Sequence, residues 1–309
     1  MRAGRGGGVI MASRATESRR DAHDFPLSES MCAEIVGAAL DEDRAYDDVT
    51  TRSVVPAHVR ASAVLVARTT GVIAGQPLLR AAFTRLDPDV SFRELETDGA
   101  RVSANQAVLE IEGAARAMLS AERVALNFVQ RLSGIATLTA RFVDAVRGTN
   151  AIILDTRKTT PGLRTLERYA VRCGGGTNHR FDLSAAVLIK DNHLATVGGD
   201  VGLAVARARA EAPRGMQVEV ECDHRDQVAA ALEAGADVIL LDNMSCDEMR
   251  ECVELVRGAA ILEASGGISL ENVRAVAETG VDWISIGALT HSAPSLDLAL
   301  DFQASPVGG

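Results

Sequence analysis

A chain of 309 residues with 47% hydrophobic content and a formal net charge of -10 has room for two packed domains, or for one large barrel with an extension. Its apolar runs are too short to span a bilayer, and its acidic balance with only 3% aromatic residues tells against a general nucleic-acid-binding surface. The five cysteines, Cys32, Cys173, Cys222, Cys246 and Cys252, are odd in number and never spaced Cys-x-x-Cys, which supports neither a disulfide framework nor a zinc site and fits a reducing cytoplasm.

Residues 1–24 are rich in Gly, Ala, Arg and Ser and read as a disordered tail. Its one apolar run, 9–12, is too short for a signal-peptide core, and Glu17 and Asp21 tell against an organelle transit peptide; Met11 is a second candidate start. Residues 26–40 carry apolar positions at helical spacing and run into an acidic segment at 41–48. Short β-rich runs follow at 61–67, 90–96 and 107–111, with turn signals at Thr70-Gly71 and Asp98-Gly99, and with a helix at 77–86 closed by Asp87-Pro88. This predicts a small α+β domain with an open sheet over residues 25–130. From 114 to 147 the pattern is helical, Gly134 reading as a break between two helices and Arg123 as an ordinary helix-face arginine.

Beyond Asn150 the texture alternates. Apolar runs at 151–154, 186–189, 217–220, 238–241, 260–262 and 283–286 are separated by helical patterns such as 201–211, 225–234 and 270–279. Repeated βα units with nearly continuous apolar strands mean a parallel sheet covered by helices. Six strands admit an incomplete barrel or an open doubly wound sheet. Each strand run ends in polar residues, as the active-site face of a barrel does, so the predicted fold is α/β: a curtailed α/β barrel of about six parallel strands over 131–305, preceded by the smaller α+β open-sheet domain.

The cations gather after the first of these strands. Of the 32 basic residues only two are lysine, Lys158 and Lys190, and both fall in the block 155–193, where a compact ammonium does something that a planar guanidinium cannot. Arg157-Lys158 and His179-Arg180 are adjacent cation pairs that repel unless an anion lies between them, which predicts a polyanionic ligand. Arg164, Arg168 and Arg172 repeat at helical spacing and fit a solvated helix face equally well. Ser265-Gly266-Gly267 and Gly287 follow the last two strands, where glycine lets backbone N–H groups approach a phosphate; tight turns are the plainer alternative. Glu219, Glu221 and Asp242 are strand-end carboxylates able to hold Mg²⁺, to bind ribose hydroxyls or simply to pair with the cations. Glu219 and Glu221 share one face of their strand. Among the histidines His179 ranks first, ahead of His193 and His291 at the strand mouths, with His23, His58 and His224 in surface-like settings. Cys173 reads as a buried hydrophobe rather than a nucleophile.

The segments 155–164 (DTRKTTPGLR), 174–180 (GGGTNHR), 189–193 (IKDNH), 219–221 (EVE), 240–243 (LLDN) and 263–268 (EASGGI) closely resemble the quinolinate phosphoribosyltransferases, the carboxylating nicotinate-nucleotide pyrophosphorylases of de novo NAD synthesis. The resemblance extends through the helix at Arg123 to Asp48-Val49-Thr50-Thr51. It implies that quinolinate and phosphoribosyl pyrophosphate (PRPP) give nicotinate mononucleotide, pyrophosphate and CO₂ with Mg²⁺. It also implies a head-to-tail homodimer whose sites are completed by the partner's Arg123, with assembly into a hexamer left open. On that basis Arg123, Arg157, His179 and Arg180 grip the two carboxylates, Lys158 and Lys190 serve carboxylate and pyrophosphate, and Glu219 with Asp242 serve the ribose and the metal. Ser265, Gly266, Gly267 and Gly287 hold the 5′-phosphate, with His291 nearby. The rivals are transfer to nicotinate, a Schiff-base aldolase using Lys190 and a non-catalytic anion binder.

Overall fold

A computed structural model describes residues 24–304; residues 1–23, most of the expected tail, together with Met11 and His23, lie outside the described residues. The first helix is α1 (Glu29–Glu42), opened by the Ser28 side chain, which accepts from the Met31 N–H. A short turn then leads to α2 (Val49–Val54), capped by Asp48, whose carboxylate accepts from the N–H of Thr51. The N-terminal domain is an antiparallel sheet, β1 (Arg60–Ala67), β3 (Ser91–Glu94) and β5 (Gln106–Ala114), with the small pair β2 (Gly71–Val72) and β4 (Arg101–Val102) and the helix α3 (Gln76–Leu86) between them. Asp98 accepts from the N–H of Gly75 at the head of α3 (2.7 Å) and from the Tyr169 hydroxyl (2.8 Å), tying this domain to the next.

The expected pair of helices is one, α4 (Ala115–Ala145), and the expected domain boundary at 130/131 falls inside it. Gly134 does not break it. A Cβ on that residue would lie 2.0 Å from the carbonyl oxygen of Pro294, so glycine is there because another backbone passes against the helix.

The second domain is built from six parallel strands, β6 (Ile152–Leu154), β7 (Val187–Ile189), β8 (Val218–Cys222), β9 (Val238–Asp242), β10 (Ile261–Ser265) and β11 (Trp283–Ser285). The connecting helices are α5 (Arg164–Cys173), α6 (Asp191–Ala195), α7 (Val201–Glu211), α8 (Arg225–Glu233), α9 (Cys246–Val256) and α10 (Val273–Ala277), with α11 (Ala288–His291) after the last strand. The spatial order β6-β11-β10-β9-β8-β7 leaves the first two strands unpaired with one another. Into that seam goes the segment after α5: Thr177 bridges to Leu154, with the Thr177 N–H on the Ile153 carbonyl (2.9 Å) and the Asp155 N–H on the Thr177 carbonyl (3.1 Å). The barrel is therefore curtailed, and its gap is filled by the glycine-rich loop.

The final strand, β12 (Leu298–Ala304), assigned by sequence to the second domain, pairs antiparallel with β1 of the first. That sheet then runs β12-β1-β5-β3. One apolar cluster continues through both domains along α4. Gly134→Ala should lower stability by about 1–3 kcal/mol through overpacking despite alanine's higher helix propensity, read as a lower midpoint in urea unfolding at unchanged slope.

Candidate active site

Asp155 follows the last residue of β6 and is fully buried. Its carboxylate accepts from the backbone N–H of His179 (2.8 Å) and from Asn178 Nδ2 (2.6 Å), and Arg168 Nη1 lies at 3.4 Å. Burial raises its pKa, and Arg168 with the His179 N–H works in the opposite direction. The α5 arginines, whose spacing fitted a solvated face and a ligand site equally well, do neither of these alone and hold this loop. Arg168 donates to the carbonyls of His179 (2.5 Å) and Arg180 (3.1 Å), Arg172 to Asn178 Oδ1 (3.1 Å) and Arg164 to the Phe181 carbonyl (3.3 Å).

The neighbouring loop, which carries Lys158, is held from the opposite side. Glu167, wholly buried, accepts from the Thr160 N–H (3.0 Å), its hydroxyl (2.8 Å) and Arg131 of α4 (2.9 Å). The Thr290 hydroxyl donates to the Lys158 carbonyl (2.7 Å), while Arg131 also donates to the Thr290 carbonyl.

Between these loops and the ends of β7 to β11 opens a cleft of about 640 Å³. Arg157, Lys158, Arg180 and Lys190 line it together with Glu221, Asp242, Ser265, Gly266 and Gly267. The Nε atoms of Arg157 and Arg180 are buried without hydrogen-bond partners, an arrangement that calls for an anion. Gly266 has φ +87°, and a Cβ there would stand 2.2 Å from Asn243 Oδ1; a Cβ on Gly267 would meet only open space. Gly287 lies outside the cleft lining and lets Lys158 and His291 pack close, since a Cβ would be 3.0 Å from Lys158 Cδ and 3.1 Å from His291 Nε2.

Two expectations need correction, those for Glu219 and for His179. Glu219 does not reach the cleft: register places it level with Val238, one layer lower on β8 than Glu221, and Glu221, nearer the strand end, lines the cleft with Asp242. Burial, then the Asp242 charge, raise Glu221 above the usual carboxylate range. Of the expected carboxylates, Glu221 with Asp242, rather than Glu219 with Asp242, is the pair whose mutual repulsion a divalent cation would relieve. His179 lines the cleft, but both its nitrogens are committed to protein: Nδ1 accepts from the Arg180 N–H (2.8 Å), and Nε2 lies 3.3 Å from an oxygen of each of Glu219 and Glu263. His193 Nδ1 accepts from the Lys190 N–H (2.9 Å), a local cap. Arg123, expected to serve a partner's site rather than that of its own chain, lines a separate cavity of about 550 Å³ with Asp47, Asp48 and Ser120.

Glu263, a strand-end residue given no role from the sequence, joins the cleft lining. Only depth along a strand separates such residues, and two-residue alternation carries no depth information. Cys173 is buried, its thiol pushed up to about 12 by burial, as an inert cysteine would be.

Two outcomes follow. Asp155→Asn leaves the buried Arg168 charge uncompensated and should cost about 3 kcal/mol or more in chemical unfolding, with loss of turnover. Burial pushes the His179 imidazole down, but Glu219 and Glu263 outweigh it and raise it to about 10, against an ordinary 6.5; the second proton goes to Nδ1 and displaces the Arg180 N–H from it. The stabilisation is therefore complete below pH 6.5 and is lost as the pH rises through about 10. Unfolding midpoints measured across that window should fall for the native chain and fall less for Glu219→Gln.

The comparisons with known proteins agree with this geometry. Residues 48–133 match the N-terminal domain and residues 135–301 the C-terminal domain of quinolinate phosphoribosyl transferase. The nicotinate-nucleotide pyrophosphorylase [carboxylating] of Mycobacterium leprae is 46% identical over 269 residues, covering 85% of this chain and 94% of that protein. The Homo sapiens enzyme of the same name is 41% identical over 250 residues, covering 79% and 83%. The crystal structure of NadC from Streptococcus pyogenes superposes with a TM-score of 0.86 at 42% identity, over 91% of this chain and 99% of that one. With both domain models matched in order across the two halves of the fold, the chain belongs to the quinolinate phosphoribosyl transferase family.

Proposed function

We propose that the cleft transfers the phosphoribosyl group of PRPP to the ring nitrogen of quinolinate and releases pyrophosphate and CO₂, leaving nicotinate mononucleotide. The observation that carries this is the pair of buried, unpartnered guanidinium Nε donors of Arg157 and Arg180 set beside Lys158 and Lys190. One carboxylate does not need four cations; a ring dicarboxylate together with phosphates does. That distinguishes quinolinate from nicotinate.

In this scheme Arg157 and Arg180 hold the ring carboxylates in place. Lys158 and Lys190 stand as point charges toward carboxylate and pyrophosphate. As pyrophosphate leaves, positive charge develops at the ribose carbon, and Glu221 and Asp242 face it through the ribose hydroxyls. The same two carboxylates would hold Mg²⁺, which when bound would supply charge neutralisation for the leaving group. The backbone of Ser265, Gly266 and Gly267 receives the 5′-phosphate. Catalysis is then positioning and electrostatics without a covalent enzyme intermediate. Ring-nitrogen ribosylation precedes decarboxylation, because the quaternised ring accepts the electron pair left at carbon 2.

Arg123 acts, in this proposal, across a dimer: it lies off the cleft of its own chain on a face with Asp48 and Ser120. The enzyme is proposed to work in the cytoplasm; no helix among the described residues is long and apolar enough to cross a membrane.

Quinolinate labelled at the 2-carboxylate should release CO₂ only when PRPP and Mg²⁺ are both present. Pyrophosphate formed with nicotinate, and no CO₂ from quinolinate, would overturn the choice of substrate, and a borohydride-trapped adduct at Lys190 would favour an aldolase. Lys158→Ala and Arg123→Ala should each lose turnover by about 100-fold or more while staying folded. Mixed after subunit exchange, the two should regain activity; no recovery refutes the shared site.

A further inference from the structure

Among the described residues four other than glycine have positive φ, Arg44, Asn105, Asn243 and Arg257, and of these Asn243, at φ +55°, is the one that lines the cleft. Asparagine tolerates this left-handed backbone better than most side chains, but glycine adopts it without steric cost. A side chain kept there at the rim of a site points to a use for it. Asn243 Nδ2 donates to Asp242 Oδ2 (2.7 Å), and the Asn243 backbone N–H donates to the Ser265 carbonyl (3.0 Å). Against the amide lies Gly266, where a Cβ would stand 2.5 Å from Asn243 Cγ. The missing Cβ is the room that the amide occupies.

Asp242 needs such a partner. The torsion that turns a carboxylate about its Cβ–Cγ bond has only broad, shallow preferences, so the side chain alone does not decide where its oxygens aim. A bond to Oδ2 fixes the carboxylate plane and with it the direction of Oδ1. The amide that makes this bond is fixed in turn, by the backbone bond to Ser265 on the neighbouring strand β10 and by its contact with Gly266. Register sets Asp242 level with Ser265. One residue thus joins the carboxylate at the end of β9 to the glycine loop at the end of β10.

We propose that Asn243 is a positioning residue whose side-chain amide aims the Asp242 carboxylate at the ribose hydroxyls of the substrate; this rests on the reading that Asp242 faces the ribose. Asn243 itself makes no bond to substrate. Glycine in its place would keep the turn and lose the aim, and aspartate would keep the shape but replace the donor by a second anion. Gly266 then serves twice, once for the approach of phosphate and once as space for the amide.

The test measures nicotinate mononucleotide binding by calorimetry, without Mg²⁺ so that the ribose contact is read by itself. It compares the native chain with Asn243→Gly and Asn243→Asp, each alone and combined with Asp242→Ala, and with Asp242→Ala by itself. That nucleotide is the product whether quinolinate or nicotinate is ribosylated, so its binding reports on Asn243 whichever acid is the substrate. Asn243→Gly is expected to unfold at the native urea concentration, to keep the quinolinate Kd, to weaken nucleotide binding about tenfold and to lower kcat/KM for PRPP by at least that factor. Asn243→Asp should lose as much or more. In the Asp242→Ala background Asn243→Gly should change the nucleotide Kd by less than about twofold, because a residue that acts only through Asp242 has nothing left to position. A loss there equal to the loss in the native background means that Asn243 touches the nucleotide directly, and overturns the proposal. Native binding and turnover in Asn243→Gly or in Asn243→Asp overturn it too, as does a loss of quinolinate affinity equal to the loss for the nucleotide. A native Kd in Asp242→Ala refutes the ribose assignment of Asp242, and the proposal with it, whereas weak binding in Asp242→Ala beside native binding in Asn243→Gly sinks the proposal alone. If Asn243→Gly does not fold, the isosteric Asn243→Asp decides by the same measurements.

Discussion

The Asp155 carboxylate is the point on which the site depends. It is an anion buried completely at the end of β6, and such a group is tolerable only if it is paired and its lone pairs are used. The chain satisfies it with the N–H of His179, the amide of Asn178 and the guanidinium of Arg168. Meeting those needs folds the 174–180 segment into the barrel's open seam, and the loop that fills the gap is the loop that presents Arg180. A barrel closed by direct pairing of β6 and β7 would have no room for it.

A second framework comes from outside the barrel. Arg131 on α4 reaches Glu167, Thr290 and the Ala293 carbonyl, so the loop bearing Lys158 is braced by a helix that also forms the core of the N-terminal domain. Cations that repel one another are thus held by neutral and anionic groups behind them, which leaves their charge directed into the cleft. Preorganisation of this kind is what electrostatic catalysis requires, since donors that must reorient during reaction contribute less.

The alternation of apolar runs and helical patterns made the parallel strands legible, and the polar residue at each strand end made the site face legible with them, because both follow from local periodicity. What stayed hidden was contact at long separation. Gly134 looked like a helix break because nothing local marks the passage of Pro294, 160 residues on, against α4. Glu219 and Glu221 point the same way on one strand, and only depth below the rim assigns one to the His179 cluster and the other to the cleft. Arg164, Arg168 and Arg172 had the spacing of a solvated face, yet the carbonyls that they hold belong to a loop whose path no periodicity describes. His179 stood out by its neighbours, but the orientation of its two nitrogens is set by the adjacent Arg180 N–H and by carboxylates on two other strands.

The last strand has a consequence for how the protein is made. β1 lies between β5 and β12, so its outer edge stays unpaired until residues 298–304 have emerged from the ribosome. Until then the nascent chain carries an open edge with Ala63, Leu65 and Ala67 on its inward face, the kind of edge that recruits strands from other chains. The first domain to be synthesised is therefore the last to be finished. A stalled or clipped polypeptide ending just before residue 298 would keep every group that lines the cleft and yet expose a template for aggregation.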